Sequence, residues 1–112
     1  MRNACLANLV AVVLTLTPSI AKSEDVLSPA AQRGLVIVRT NCARCHAIGS
    51  TGESPHREAP PFRTLGQKYP IDWLAEALGE GLSTGHPDMP EFVFEANEVR
   101  AILDYLQSIQ ER

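Results

Sequence analysis

Long apolar runs, internal repeats and surplus positive charge are all missing from this 112-residue chain. Its apolar stretch Leu9–Leu14 falls well short of the ~20 residues a spanning helix needs, and Pro18 interrupts the end of it. That speaks against a retained membrane anchor. A formal net charge of −3 argues against nucleic acid as a partner. With no repeat and no low-complexity tail, nothing suggests a second domain. Nothing that reads as a strand leads up to the cysteine pair at 42 and 45. Thiols and imidazoles are few, three of each, so a site needing both has little to draw on.

What is present at the N-terminus reads as a processing signal. Arg2 is the only charge before Lys22. The apolar stretch is followed by Thr15, Thr17 and Pro18, and Ser19-Ile20-Ala21 puts small residues at the two positions that signal peptidase reads. Cleavage after Ala21 is expected, making residues 1–21 a signal peptide and residues 22–112 a single exported, periplasmic domain. Cys5 lies too early, behind too polar an approach, for a lipoprotein site. The mature chain then keeps only Cys42 and Cys45. Its roughly ninety residues suffice for one small domain. A domain of that size buries a modest fraction of its surface and often needs a staple.

The stretch Cys42-Ala43-Arg44-Cys45-His46 supplies one. It has the attachment spacing of a c-type haem, in which each thiol adds to a vinyl group and the adjacent imidazole binds the iron. Two intervening residues let both sulfurs face one porphyrin edge from a single helical turn. Two other readings compete. A thioredoxin-like dithiol normally follows a strand, and none precedes Cys42. A zinc site would want two more ligands from Cys5, His56 and His86, of which Cys5 leaves with the signal peptide.

Helical signals surround the motif. Ser28 and Pro29 open a helix over about 29–41, as N-cap and first-turn proline. Leu35, Val38 and Cys42 share a stripe, and Gly34 lies one turn before Val38. A mid-helix glycine costs about 1 kcal/mol relative to alanine, and close approach of another helix would justify it. Residues 47–61 are long, turn-rich loop, closed by Pro60-Pro61. An iron-bound imidazole usually donates its other N–H to a backbone carbonyl; a proline carbonyl here could accept, and spacing leaves Pro60 and Pro61 open. Residues 62–70 read as a short helical or irregular link, and 71–78 as a short helix with Leu74, Ala77 and Leu78 inward, ended by Gly79 or Gly81. Trp73 or Tyr69 either reaches a haem propionate through its donor or packs in the core. Residues 95–109 form an amphipathic helix with Val99, Ile102, Leu106 and Ile109 on one face. Asn97 is its expected N-cap, and Tyr105 or Leu106 should meet the first helix near Gly34.

The loop 82–92 carries a candidate sixth ligand. Met89 is the one methionine besides Met1, and it sits in a loop beside Pro90, where a purely core-filling role is uncommon. A thioether ligand raises the haem potential and closes the site to small molecules. His86, three residues earlier, competes for that place, and His56 does so more weakly. Charge is uneven: residues 22–70 carry seven Lys/Arg against four Asp/Glu, and residues 71–112 two against nine. The imbalance reflects either solvated helix faces or a dipole that steers a redox partner into place.

Taken together these residues resemble the class I, monohaem cytochrome c family across essentially all of the mature chain. The resemblance is carried by Cys42–His46, Gly34, Pro61, Met89 and Asp104-Tyr105-Leu106. It implies an all-α fold, small helices wrapped around haem with crossed N- and C-terminal helices. It also implies one haem c held covalently by Cys42 and Cys45, His46 and Met89 as axial ligands, and the Pro61 carbonyl orienting His46. The Pro60-Pro61-Phe62 segment departs from the family's commoner Gly-Pro-Leu. The expected function is that of a one-electron carrier, not an enzyme, cycling Fe(III)/Fe(II) between redox partner proteins: a dehydrogenase, an oxidase or a membrane respiratory complex. Membrane contact is expected only through such a partner. The alternatives are a haem enzyme subunit or a ligand sensor with a labile sixth site, for which His86 would be the distal group, and a thiol–disulfide oxidoreductase.

Overall fold

Helix α1 begins where the serine–proline pair puts it. The Ser28 hydroxyl accepts the N–H of Ala31 at 3.1 Å, and α1 runs over Pro29–Asn41. The computed structural model describes Leu14 and residues 26–81, 83 and 85–111. The expected signal peptide, its cleavage site after Ala21, and Cys5 lie outside the described residues. Two 3₁₀ helices follow, Phe62–Gln67 and Ile71–Trp73, the second leading directly into helix α2, Leu74–Glu80. Helix α3 spans Ala96–Ser108. Among the described residues there is no β-strand, and no helix is long and apolar enough to cross a membrane.

Helices α1 and α3 cross at Gly34. A Cβ added there would lie 1.9 Å from the Ala101 carbonyl oxygen and 2.8 Å from the Tyr105 Cβ. Only a residue without a side chain lets the two backbones come this close, which accounts for the cost of a helical glycine. Around the crossing Ala31, Val38, Ala101, Ile102, Tyr105 and Leu106 are buried. Phe62, Leu65 and Ile71 from the 3₁₀ segments complete the same cluster, with Leu74 and Leu78 of α2 packed on its edge.

The helix ends differ in detail from the sequence expectation. α3 is capped by Glu95, not Asn97: the Glu95 N–H donates to Glu98 Oε2 at 3.0 Å, and Asn97, already inside the first turn, accepts the Glu98 N–H at 2.9 Å. Gly81, not Gly79, ends α2, with φ of 111°, a left-handed conformation suited to glycine. Trp73 is 74% exposed and does not pack in the core. Tyr69 is half-buried against it. The C-terminal residues fold back onto the first 3₁₀ helix. Gln110 accepts the Gly66 N–H and donates to the Phe62 carbonyl, while the Glu111 N–H donates to the Arg63 carbonyl at 2.9 Å.

Candidate functional site

The motif hangs directly from the end of α1. Cys42 is the C-cap, and its N–H donates to the Val38 carbonyl at 2.8 Å. The N–H groups of Cys45 and His46 both return to the Cys42 carbonyl, at 3.1 and 2.9 Å. The five residues therefore continue as one tight turn, as the spacing predicts. Both cysteines are half-buried and unpaired. Burial pushes the Cys42 thiol up to about 11, the reverse of what an attacking dithiol needs. Among the described residues no cluster of three or more His, Cys, Asp or Glu is placed to hold a metal ion.

His46 is buried, with its ring 4.6 Å from that of Phe62 and tilted 35° to it. Its Nδ1 lies 2.8 Å from the Pro60 carbonyl oxygen. A carbonyl can only accept, so the ring proton sits on Nδ1 and the neutral ring has its lone pair on Nε2. The acceptor is thus Pro60, which corrects the expectation of Pro61. The reason lies in the next turn: Pro61 caps the 3₁₀ helix, and its carbonyl takes the Thr64 N–H at 3.1 Å and the Thr64 hydroxyl at 2.9 Å. The segment around His46 is held from several sides. Ser54 Oγ accepts the Ala47 N–H, the Phe62 N–H donates to the Ala47 carbonyl, and the Tyr105 hydroxyl donates to the Ile48 carbonyl at 2.6 Å. Ser54, Phe62 and Tyr105 were not singled out by sequence for this role. Only the helical periodicity of 95–109 hinted that Tyr105 would face inward.

Met89 is half-buried in the loop after α2, its N–H donating to the His86 carbonyl at 3.2 Å. The two imidazoles that compete with it are engaged by carboxylates. His56 Nε2 faces Asp88 Oδ2 at 3.2 Å, and His86 Nε2 faces Glu58 Oε2. These pairs bring the Met89 loop against the segment that follows the cysteine motif. The acidic half of the chain is also gathered in space: Asp72, Glu76, Glu80, Glu95 and Asp104, with Arg100 among them, line a groove of about 830 Å³ between α2 and α3.

Two half-buried thiols on one turn, followed by a buried imidazole whose Nδ1 is anchored, form a donor set that fits a covalently attached haem. An all-helical fold that crosses its first and last helices beside such a turn defines a cytochrome c domain. The model of the family described as "Cytochrome C oxidase, cbb3-type, subunit III" matches residues 29–106, and the chain belongs to this family. It is a monohaem cytochrome c domain of all-α fold, its cofactor is covalently attached haem c, and its chemistry is haem-based electron transfer. No curated protein and no solved structure matches the chain.

Proposed function

We propose that this protein is an exported one-electron carrier with a closed His/Met haem site, and not itself an enzyme. Haem c, when bound, supplies a one-electron Fe(III)/Fe(II) couple. In this reading Cys42 and Cys45 would hold the porphyrin by thioether bonds, and His46 Nε2 and the Met89 sulfur would bind the iron. The observation that carries it is the 2.8 Å contact from His46 Nδ1 to the Pro60 carbonyl. That bond fixes the tautomer, aims Nε2 away from the loop, and makes the imidazole a better donor to a metal. Phe62 shields the same ring from water.

Residues 1–21 are proposed to direct export to the periplasm, leaving 22–112 as the working domain. The family description names a subunit of a cbb3-type oxidase. By extension the partners of this chain are redox proteins of a respiratory complex, reached by docking. The acidic groove between α2 and α3 suits a partner with a basic face.

Haem staining of the denatured protein, together with its intact mass, tests attachment and cleavage at once. A mass equal to residues 22–112 plus one haem is expected; a haem lost on denaturation sinks the covalent reading. For the sixth ligand, Met89→Ala should abolish the Met-to-iron charge-transfer band at the red end of the spectrum and lower the potential. A spectrum and potential unchanged by that substitution mean Met89 is not a ligand.

A further inference from the structure

One short pattern occurs twice in the chain and the haem reading leaves it unused. A histidine is followed two residues later by a carboxylate in His56-Arg57-Glu58 and again in His86-Pro87-Asp88. Both form the same turn. The Ala59 N–H donates to the His56 carbonyl at 3.0 Å, and the Met89 N–H to the His86 carbonyl at 3.2 Å. In each turn the acidic residue's own backbone N–H donates to the histidine Nδ1, at 3.3 Å in both: Glu58 to His56 and Asp88 to His86. Nδ1 is therefore the acceptor in both rings, and each neutral ring keeps its proton on Nε2.

Those two protons are directed across to the other turn. His56 Nε2–H donates to Asp88 Oδ2 at 3.2 Å, and His86 Nε2–H donates to Glu58 Oε2. The rings meet edge to face between the two bonds, with centroids 5.5 Å apart and planes at 89°. The pairing is reciprocal, so each turn supplies one donor and one acceptor to the other.

The two turns end at telling places. The second closes on Met89. The first closes on Ala59, next to Pro60, whose carbonyl holds His46. We propose that His56, Glu58, His86 and Asp88 form a clasp that positions Met89 as the axial thioether, by tying its loop to the segment that anchors His46. This rests on Met89 being the sixth ligand. The loop has reason to need a tie. Among its described residues it has no helix or strand, and Gly81 and Gly85 both take positive φ, 111° and 71°. Such a segment has many alternative conformers, most of which would carry the sulfur away. The carboxylates are 67% and 70% exposed, so each bond contributes modestly and the clasp acts through the pair.

The test uses the haem-loaded protein and free imidazole, which competes with the thioether for ferric iron. Asp88→Ala and Glu58→Ala should each raise the affinity for imidazole about two- to tenfold and weaken the red-end charge-transfer band. Asp88→Asn and Glu58→Gln keep an acceptor oxygen and should stay close to the parent. If the alanine variants bind imidazole as the parent does, the clasp does not position Met89, even where denaturation midpoints fall. Conservative variants that behave like the alanine ones overturn the neutral hydrogen-bonded clasp as well. Met89→Ala, measured in parallel, separates the two levels. A band that survives it overturns the ligand reading and this inference with it. A band lost there, with imidazole affinity unmoved in the alanine variants, overturns the clasp alone.

Discussion

The hydroxyl of Tyr105 donates to the carbonyl of Ile48 at 2.6 Å, joining α3 to the residues just after His46. Tyr105 is 4% exposed, so its partner is left without a donor when the hydroxyl is removed. Tyr105→Phe should cost about 1–2 kcal/mol in denaturant unfolding. Burial pushes the phenol above its ordinary range, partly opposed by the charge of Arg39. The folded chain therefore prefers the neutral phenol. Its contribution is fully present below the unfolded value, about pH 10, and is lost as pH rises through the folded one. The stability gap between parent and Tyr105→Phe should be flat up to about pH 10 and narrow above it. A gap that narrows on acidification would contradict this assignment.

Gly34→Ala tests the helix crossing. Its new methyl would sit 1.9 Å from the Ala101 carbonyl oxygen, on a backbone that cannot turn away. Overpacking of this kind typically costs 1–3 kcal/mol, and about 3 kcal/mol or more is expected here because backbone must move. Gly49→Ala, where a Cβ meets nothing within 4 Å, is the control and should change little. Equilibrium denaturation of the pair gives the comparison directly.

Phe62 holds the His46 imidazole by packing. Its ring is buried and 4.6 Å from that of His46. Phe62→Ala should destabilise the protein by about 3–5 kcal/mol. It should also admit water beside His46, so the potential is expected to fall along with the unfolding midpoint. A potential that stays at the parent value would mean that Phe62 serves the core alone.

Arg63 combines a hydrogen bond to a backbone carbonyl with an exposed ion pair. Its Nη1–H donates to the Gly52 carbonyl at 2.8 Å, and its Nε–H to Glu111 Oε1 at 2.9 Å. The arginine is 17% exposed but Glu111 is 48% exposed. The ion pair is therefore worth at most about 1 kcal/mol, and the hydrogen bond to the Gly52 carbonyl, which only the arginine makes, adds about 0.5–1.5 kcal/mol. Arg63→Ala should cost more than Glu111→Ala, and 0.5 M salt should not erase the difference. Thermal unfolding of both variants at two ionic strengths decides it.

Local chemistry made much of this legible in the sequence. Ser28-Pro29 marks the start of α1, and the cysteine–histidine spacing marks the cofactor. Gly34 announces a close helix contact because a helical glycine must be justified by something. What the sequence hid depends on which carbonyl or carboxylate a group finds after the chain folds. Pro60 and Pro61 are indistinguishable until the 3₁₀ helix consumes the Pro61 carbonyl. Glu95 is a less usual cap than Asn97 by residue type, and it wins because Glu98 reaches back to it. The His-x-acid pairs at 56–58 and 86–88 look like two ordinary loops. Only their juxtaposition shows that each histidine faces the carboxylate of the other turn.

The crossing of α1 and α3 also has a consequence for the rate of folding. The face around Gly34 is completed by Ala101 and Tyr105 of α3. Everything between, including both cysteines and the Met89 loop, belongs to one large ring that this contact closes. Closing a ring of that length costs only slightly more than a shorter one, because the entropy grows with the logarithm of length. It does, however, make the decisive native contact one between distant parts of the chain, which slows folding relative to a purely local pairing.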